Sequence, residues 1–232
     1  MFAVADARFF PASDRSLIVY LGEDISPATN LRVIKLLRQL ESCPIDGVRN
    51  LHPAYNSLLL VFDPLRLRHD ELEHQLRGRI QNSSDLPDLD PRQVEIPVCY
   101  GGAFGPDLDE LARLHAISSA QVIELHAAAS YRVYFLGFAP GFAYLGGLPQ
   151  GLATPRLASP RKAVPAGSVG IADTQTGVYP FSTPGGWRLI GRTPLRMFRP
   201  DRHPVSLLAI GDEVRFRPIS EDEFTRMAHS SP

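Results

Sequence analysis

Cysteine, net charge and long apolar segments are all scarce in this sequence. Only two cysteines, Cys43 and Cys99, occur in 232 residues, and no metal-binding or disulfide spacing relates them. This scarcity excludes a disulfide framework and a cysteine-rich metal site, and we expect two free thiols in a reducing compartment. The 24 basic and 25 acidic residues give a net charge of -1, so no global field attracts nucleic acid or an anionic membrane.

The apolar runs are too short for a membrane span. The run at 58–62 is far below the roughly 20 residues that a spanning helix needs. The first residues include acids and no basic region before a long apolar core, so we expect no signal peptide. With 44% hydrophobic and 21% charged residues, the composition is typical of a soluble globular protein, which we expect to be cytoplasmic.

Several motif-like segments lack the residues that would give them chemistry. The glycine-rich segment 101–105 is not followed by Lys-Ser or Lys-Thr, which excludes a P-loop. Ser168 has no glycine two residues before it, which argues against a nucleophile elbow. His115 and His126 have no cysteine or carboxylate cluster beside them, so no metal site is predicted.

The first third of the chain alternates strand-like and helix-like patterns. Ser26 and Pro27 provide an N-cap and a first helical residue, and apolar residues follow at helical spacing until Pro44. The predicted elements are strands at 5–10 and 17–22, a helix from 26, strands at 47–53 and 57–62, and a helix at 69–80. This order predicts a small α+β domain over residues 1–84, with helices on one face of an antiparallel sheet.

The sequence character changes after a polar, proline-containing segment at 82–91, which predicts a linker. The second predicted domain, residues 85–232, begins with a strand at 94–100 and two helices at 107–116 and about 118–129, and it ends with a short helix from 221. Between them, short β-like runs are predicted at 166–172, 187–191, 195–198, 205–210 and 213–217. Frequent Pro and Gly between such runs predict an all-β barrel or sandwich.

The aromatic segment 131–148 is the most distinctive part of the chain. It begins as an apolar strand to Phe138, breaks at 139–141, and continues with aromatic residues and glycines without a clean period. Two interpretations stay open: an aromatic-lined bend that forms a ligand cleft or partner contact, and a core strand followed by a packed turn.

Two basic clusters follow this segment. Arg156, Arg161 and Lys162 lie in a proline-stiffened stretch, and Arg188 and Arg192 come after an aromatic, proline-rich run. Prolines lower the entropy cost of ordering a loop, and arginine forks pair with carboxylate or phosphate. The clusters therefore predict a site for a small anionic ligand against an aromatic wall. We interpret Arg156 and Arg188 as solvated loop charges.

Three stretches together resemble the family of the 5-oxoprolinase B subunit. They are HAAASYRVYFLGFAPGFAYLGGLP, TPRLASPRKAVPAGSVGIADTQTGVYPFSTPGGWRLIGRTPLRMF and the closing GDEVRF. The family includes the Kip inhibitor of a sporulation kinase and has also been described as allophanate hydrolase subunit 1. The resemblance implies that a cyclophilin-like β-barrel follows the α+β domain.

The resemblance also implies an activity and its partners. It implies an ATP-dependent hydrolase, using Mg²⁺, in which this chain is inactive alone. With the C subunit (KipA-like) and the A subunit (LamB/YcsF-like) of that enzyme, it would open 5-oxo-L-proline to L-glutamate, driven by phosphoryl transfer to the lactam oxygen. Two alternatives stay open: a Kip-type inhibitor that binds a sensor histidine kinase, and a carboxyltransferase-like module related to urea carboxylase. No nucleic-acid or membrane partner is expected.

The implied reaction leads to predicted site residues. The predicted catalytic residues are His126, as a proton shuttle or hydrogen-bond donor, and Lys162. Lys162 and Arg161 would neutralise a carboxylate or phosphate, with Arg192 as a second cation. The predicted substrate-binding residues also include the aromatic wall and one amide partner, namely Tyr134, Tyr144, Tyr179, Trp187 and Gln175. No metal ligand is predicted.

Overall fold

A computed structural model describes residues 7–83 and 90–230 of the chain. By its internal contacts the chain divides into two compact units, Met1–Asp90 and Pro91–Pro232, here called the N-terminal unit and the barrel unit. The boundary predicted after residue 84 and most of the predicted linker fall on residues 84–89, which lie outside the described residues. That boundary stays a prediction.

The N-terminal unit has the predicted ββαββα order. Its strands are β1 (Arg8–Ser13), β2 (Ser16–Tyr20), β3 (Val48–Pro53) and β4 (Ser57–Phe62), and its helices are α1 (Pro27–Ser42) and α2 (His69–Ser83). The four strands form one antiparallel sheet in the order β1-β2-β4-β3. Residues 5 and 6, where the first strand was predicted to begin, lie outside the described residues.

Local sequence signals explain this unit well. The Ser26 side chain accepts a hydrogen bond from the backbone N–H of Thr29, at 3.2 Å, and Pro27 begins α1 as expected. Alternate residues of the two central strands, such as Leu17 and Val19, are buried, which is the period-2 pattern of a sheet covered on one face.

The barrel unit is built around a closed barrel of seven strands. The barrel strands are β5 (Gln93–Tyr100), β6 (Tyr131–Leu136), β7 (Ala143–Gly146), β9 (Ser168–Ala172), β10 (Gln175–Val178), β12 (Arg188–Arg192) and β13 (Glu213–Pro218). Their order is β10-β7-β6-β13-β5-β12-β9, closed by the β9–β10 pair. Strands β5 and β13 run parallel, with Gln93 opposite Glu213, so the first and last strands of the unit lie side by side.

Further elements surround the barrel. They are α3 (Leu108–Leu114), α4 (Ser119–Ala128), α5 (Glu221–Ser230) and a two-stranded sheet of β8 (Arg161–Val164) and β11 (Thr183–Gly185). Helix α4 begins with a capping box, in which Ser118 and Gln121 each bond the other's backbone N–H. The predicted helices and the mixed α+β class are thus confirmed, and of the two predicted β architectures the barrel is correct.

Two predicted strands are wrong. Segments 195–198 and 205–210 form no strand, and only one isolated bridge joins Phe198 to Ser206. The intervening residues include Pro200 and Pro204, which cannot donate to a ladder, so the apolar runs on either side do not propagate a sheet. Within the part of the chain that the structure describes, no helix is both long and apolar enough to cross a bilayer.

Candidate functional site

The aromatic segment of the sequence forms one side of a cleft on the barrel unit. After β6 the chain bends at Phe138, which has a left-handed backbone (φ 66°), and returns as β7. Five aromatic residues line this aromatic cleft, namely Phe138, Phe142, Tyr144, Tyr179 and Trp187. The remaining lining residues are Arg156, Pro184, Gly185 and Gly186, and the cleft volume is about 110 Å³. The segment contains features of both interpretations, because a buried core strand leads into a packed bend that lines a cleft. Binding of a ligand or partner at this bend stays a prediction.

The rings of the cleft hold one another in fixed positions. Phe142 is the central ring, with its centroid 5.0 Å from Tyr144 and 5.5 Å from both Tyr179 and Trp187, all edge-on. Such edge-to-face pairs are favoured by the ring quadrupoles. Phe142, Tyr179 and Trp187 are at most 6% exposed, and they belong to a hydrophobic cluster separate from the barrel core. The aromatic wall is therefore preformed.

The two tyrosines of the cleft are neutral hydrogen-bonding groups. Burial raises the pKa of both Tyr144 and Tyr179, because a phenolate loses more hydration than a phenol does. The positive charge of Arg156 acts in the opposite direction on both pKa values, without reversing the rise. At neutral pH both hydroxyls keep their protons and can donate or accept hydrogen bonds.

Arg156 is the cation of the cleft. Its side chain is 59% exposed and its Nε lies 3.5 Å from a carboxylate oxygen of Asp173. The backbone on either side is held, because Thr154 and Asp173 form a two-bond β-bridge and the Pro155 carbonyl accepts a hydrogen bond from Arg188 Nε at 3.1 Å. The interpretation of Arg156 as a solvated loop charge is correct in exposure only, since the residue lines the cleft.

Arg188 is not a solvated charge. Its side chain is only 13% exposed and forms an ion pair with Glu110 at 3.0 Å. Because its other contact is the carbonyl of Pro155, the residue helps to hold the segment that carries Arg156. No local sequence pattern indicates this role, because Glu110 and Pro155 are far from Arg188 in the chain.

Arg161 forms a structural ion pair with Asp107 beside the cleft. Its guanidinium donates to Asp107 Oδ1 at 2.6 Å and to the carbonyl of Trp187 at 3.4 Å. Asp107 is 5% exposed, and its second oxygen accepts the N–H of Leu189 at 2.6 Å. Arg161 thus holds the backbone of a cleft residue, and it is not among the residues that line the cleft.

The other predicted polar residues lie outside the cleft lining. Lys162 is exposed on β8, and Arg192 donates from Nε to the carbonyl of Ala166 at 2.7 Å. Gln175 begins β10 beside the turn of the β9–β10 hairpin. Tyr134 is buried on β6, so the cleft contains three of the four predicted aromatic residues. The functional roles predicted for these residues stay predictions.

His126 lies in the interior of the barrel unit, fully buried on α4. Its Nδ1 is 2.8 Å from the Tyr100 hydroxyl and its Nε2 is 2.9 Å from the Thr176 hydroxyl. Thr176 donates its own proton to the carbonyl of Gly170, so it must accept from His126 Nε2–H. Nδ1 is then the acceptor of the Tyr100 proton, and the imidazole is neutral.

The environment of His126 disfavours its charged form. Burial lowers the pKa of His126 to about 3, since an imidazolium would lose its hydration among apolar rings. The ring stacks on Phe216 with centroids 4.5 Å apart. The residue does not line the aromatic cleft, and its predicted catalytic role stays a prediction.

We expect the stability of the barrel unit to fall as the pH drops below about 6.5. Between the usual pKa of 6.5 and the folded value of about 3, the unfolded chain binds a proton at His126 that the folded chain does not. Proton binding at His126 in the unfolded chain should therefore lower the free energy of unfolding by up to about 1.4 kcal/mol for each pH unit that the pH falls between 6 and 4. Denaturant titrations over this range measure the slope.

Two comparisons isolate the contribution of His126. A His126→Gln variant should lose this part of the slope, whereas His74→Gln, at an exposed position, should keep it. The imidazole signal of His126 in NMR spectra should stay at its neutral position down to pH 5. A midpoint above pH 5 would contradict the buried neutral state.

Six of the nine lining residues were not among the predicted site residues, namely Phe138, Phe142, Arg156, Pro184, Gly185 and Gly186. Phe138 and Phe142 belong to the aromatic segment for which a cleft was one interpretation, but the sequence did not indicate which rings line it. Arg156 carried no separate signal, because its loop brings it to the rings only in the folded chain.

Known proteins resemble this chain over nearly its whole length. The sequence profile of the carboxyltransferase domain, subdomain C and D, matches residues 7–208. The 5-oxoprolinase B subunit of Bacillus subtilis is 43% identical, with 91% of this chain and 92% of the relative covered. That of Escherichia coli O157:H7 is 44% identical, with 93% and 97% covered.

Solved structures agree with these matches. The crystal structure of TTHA0988 has a TM-score of 0.79 and 39% identity, covering 89% of this chain but only 40% of that longer chain. Urea amidolyase from K. lactis has a TM-score of 0.80 at 20% identity, covering 97% of this chain and 15% of that one, which shows a shared fold. The chain therefore belongs to the 5-oxoprolinase B subunit family.

Proposed function

We propose that this chain is the B subunit of an ATP-dependent 5-oxoprolinase, a complex that opens 5-oxo-L-proline to L-glutamate together with the A and C subunits. The observation that carries this proposal is the aromatic cleft, a preformed apolar wall with a single cation and two neutral hydroxyls. Such a surface can orient a small acid and exclude water from one side of it. The name shared by the relatives supplies the reaction.

The cleft has the character of a half-site. Its volume of about 110 Å³ is well below the roughly 300–1,000 Å³ of pockets that enclose drug-sized ligands. Phe138 and Phe181 remain 64% and 38% exposed, which is a surface that a second polypeptide can cover. The length of TTHA0988 also supports a partner, because most of that polypeptide lies outside the region that resembles this chain.

ATP and Mg²⁺ do not fit the residues of this cleft. A nucleoside triphosphate is too large for the cleft, and Arg156 is the single cation among the described lining residues. In residues 7–83 and 90–230, no three His, Cys, Asp or Glu side chains come together as a metal site. In this proposal ATP and Mg²⁺ bind in the assembled complex, and the present residues hold the acid.

A regulatory binder is the second candidate function. The exposed rings of Phe138 and Phe181 favour it, because the same surface could dock a sensor histidine kinase as a Kip-type inhibitor does. The carboxyltransferase-like alternative has the support of the family profile and of the fold shared with urea amidolyase. A cyclophilin-like character of the barrel and a cytoplasmic location remain parts of the proposal.

Reconstitution tests the enzyme proposal. Mixing the chain with candidate A and C subunits, ATP, Mg²⁺ and 5-oxo-L-proline should release L-glutamate, and omitting any one chain should abolish it. A Gly185→Ala variant should lower turnover at least about tenfold, because a Cβ there would overlap the Tyr179 hydroxyl and displace a cleft wall.

The neighbouring glycine provides the matched control. A Cβ at Gly186 would lie 3.6 Å from its nearest neighbour, an ordinary contact, so Gly186→Ala should keep the turnover of the unchanged chain. Glutamate release is normalised to the amount of assembled complex, so that a loss of assembly is not read as a loss of turnover. Equal turnover of both variants would show that the reaction does not depend on the cleft. The absence of glutamate from the complete mixture would contradict the enzyme proposal.

A further inference from the structure

We propose that the aromatic cleft is a recognition site for a small cyclic carboxylic acid, in which Arg156 binds the carboxylate and the aromatic rings enclose the ring of the ligand. The choice of a five-membered lactam acid within this class rests on the proposed function. Nothing in the chemistry of the cleft depends on ATP. In this proposal Arg156 contacts the carboxylate of the ligand, and the cations predicted from the sequence, Arg161, Lys162 and Arg192, do not.

The positive charge of the lining favours a negatively charged ligand. Arg156 is the one charged residue among the nine that line the cleft, and no carboxylate lies in the wall itself. Asp173 contacts the guanidinium from outside the lining, through Nε. Arg156 lines the cleft and 59% of its side chain stays exposed, so its guanidinium is accessible to an incoming carboxylate.

The size and shape of the cleft set the ligand's dimensions. A volume of about 110 Å³ admits a ligand of only a few heavy atoms beyond its charged group. Phe142 packs edge-on against Tyr144, Tyr179 and Trp187, so the wall of the cleft is rigid and apolar and suits a small ring better than a flexible chain. The protonated hydroxyls of Tyr144 and Tyr179 can then meet an amide C=O or N–H in that ring.

The protein holds Arg156 in place before any ligand arrives. The bridge between Thr154 and Asp173 and the hydrogen bond from Arg188 to Pro155 fix its backbone. Arg188 is itself held by Glu110. Preorganisation of this kind lowers the entropy cost of binding, which matters for a ligand with few contacts.

Trp187 allows a direct test, because it is the only tryptophan in the chain and it lines the cleft. Its fluorescence in the full-length chain is followed during titration with 5-oxo-L-proline, with the uncharged lactam 2-pyrrolidinone, and with acetate. We expect a saturable change with 5-oxo-L-proline, at a concentration about tenfold lower than with 2-pyrrolidinone or acetate. The factor corresponds to one exposed charge-assisted contact.

Two variants locate the carboxylate contact. Arg156→Ala should weaken 5-oxo-L-proline binding about tenfold and leave the response to 2-pyrrolidinone unchanged. Arg113→Ala, an exposed arginine on α3, should bind as the unchanged chain does. No saturable change, equal affinity for charged and uncharged rings, or unaltered binding by Arg156→Ala would each overturn the inference.

The outcome separates this inference from the proposed function. Arg156-dependent fluorescence changes without glutamate release by the reconstituted complex would keep the recognition site and remove the enzyme proposal. Glutamate release together with unaltered binding by Arg156→Ala would keep the enzyme proposal and remove the recognition site.

Discussion

Replacing Asp107 with alanine is expected to lower the free energy of unfolding of the barrel unit by about 3 kcal/mol and its Tm by roughly 10 °C. The Asp107 side chain is 7% exposed and serves two partners, Arg161 and the N–H of Leu189, both at 2.6 Å. Its removal leaves the Arg161 cation without its carboxylate and the buried N–H of Leu189 without an acceptor. Water reaches the Arg161 side chain, which is 29% exposed, so the low end of the range for broken buried pairs applies.

Asp109 provides the matched control for this prediction. It is exposed two residues further along α3, and its contact is a surface hydrogen bond from Ser119. Asp109→Ala should change the Tm little. Thermal and denaturant unfolding of both variants measure the difference. Equal Tm values for the two variants would show that the Asp107 pair does not stabilise the unit.

The same variant should also disturb the aromatic cleft. Arg161 donates to the carbonyl of Trp187, so a guanidinium that has lost Asp107 holds this backbone less firmly. The emission maximum of the single tryptophan should shift to longer wavelength at temperatures where the chain is still folded. An unchanged maximum would limit Asp107 to a role in stability.

Replacing Gly105 with alanine is the second change with a large expected effect. A Cβ at this position would overlap the backbone carbonyl of Ile190 on β12. No side-chain rotation can relieve a clash with backbone, so the strand or the loop must move. We expect a loss of about 3 kcal/mol or more in the free energy of unfolding, at the upper end of overpacking costs.

The position of this clash explains its size. The carbonyl of Ile190 accepts a hydrogen bond from the N–H of Gly101, and β12 meets β5 through only two residue pairs, at Gly191 and Arg192. Moving β12 therefore weakens one seam of the closed barrel. Gly151→Ala is the control, since a Cβ there meets no atom within 4 Å. Circular dichroism melts measure both, and a Gly105→Ala Tm equal to that of the control would contradict the close approach.

Local sequence patterns predicted the elements of the N-terminal unit and the helices of the barrel unit, but only some of the barrel unit's strands. Helix α1 was recognisable because Ser26, Pro27 and a 3.6-residue apolar period report local backbone geometry. The short strands β7, β8, β10 and β11 were missed, since three or four residues are too few to show a period. The wrong strands on either side of Pro200 and Pro204 show the opposite error, in which apolar runs join through one isolated bridge and extend no sheet.

Three of the predicted substrate-binding residues lie together in the cleft, and their functional role stays a prediction. Tyr144, Tyr179 and Trp187 come from motifs that are rich in aromatic side chains. Aromatic side chains are costly to leave in water, so such motifs indicate a packed cluster or a cleft wall. The cations were harder to assign. A basic residue in a loop has no periodic pattern, and whether it pairs with Asp107, lies in solvent or lines a cleft depends on residues far away in the chain.

The sequence by itself determined the order of helices and strands in the N-terminal unit, the lack of disulfide spacing and of a P-loop motif, and the family through its ordered motifs. Only the tertiary structure decided that β5 pairs with β13 across 120 residues, that His126 is buried and neutral, and that Arg156 meets the aromatic rings. The physical reason is range: backbone propensity and periodicity act over a few residues, whereas a binding site depends on contacts between segments that are brought together when the barrel closes.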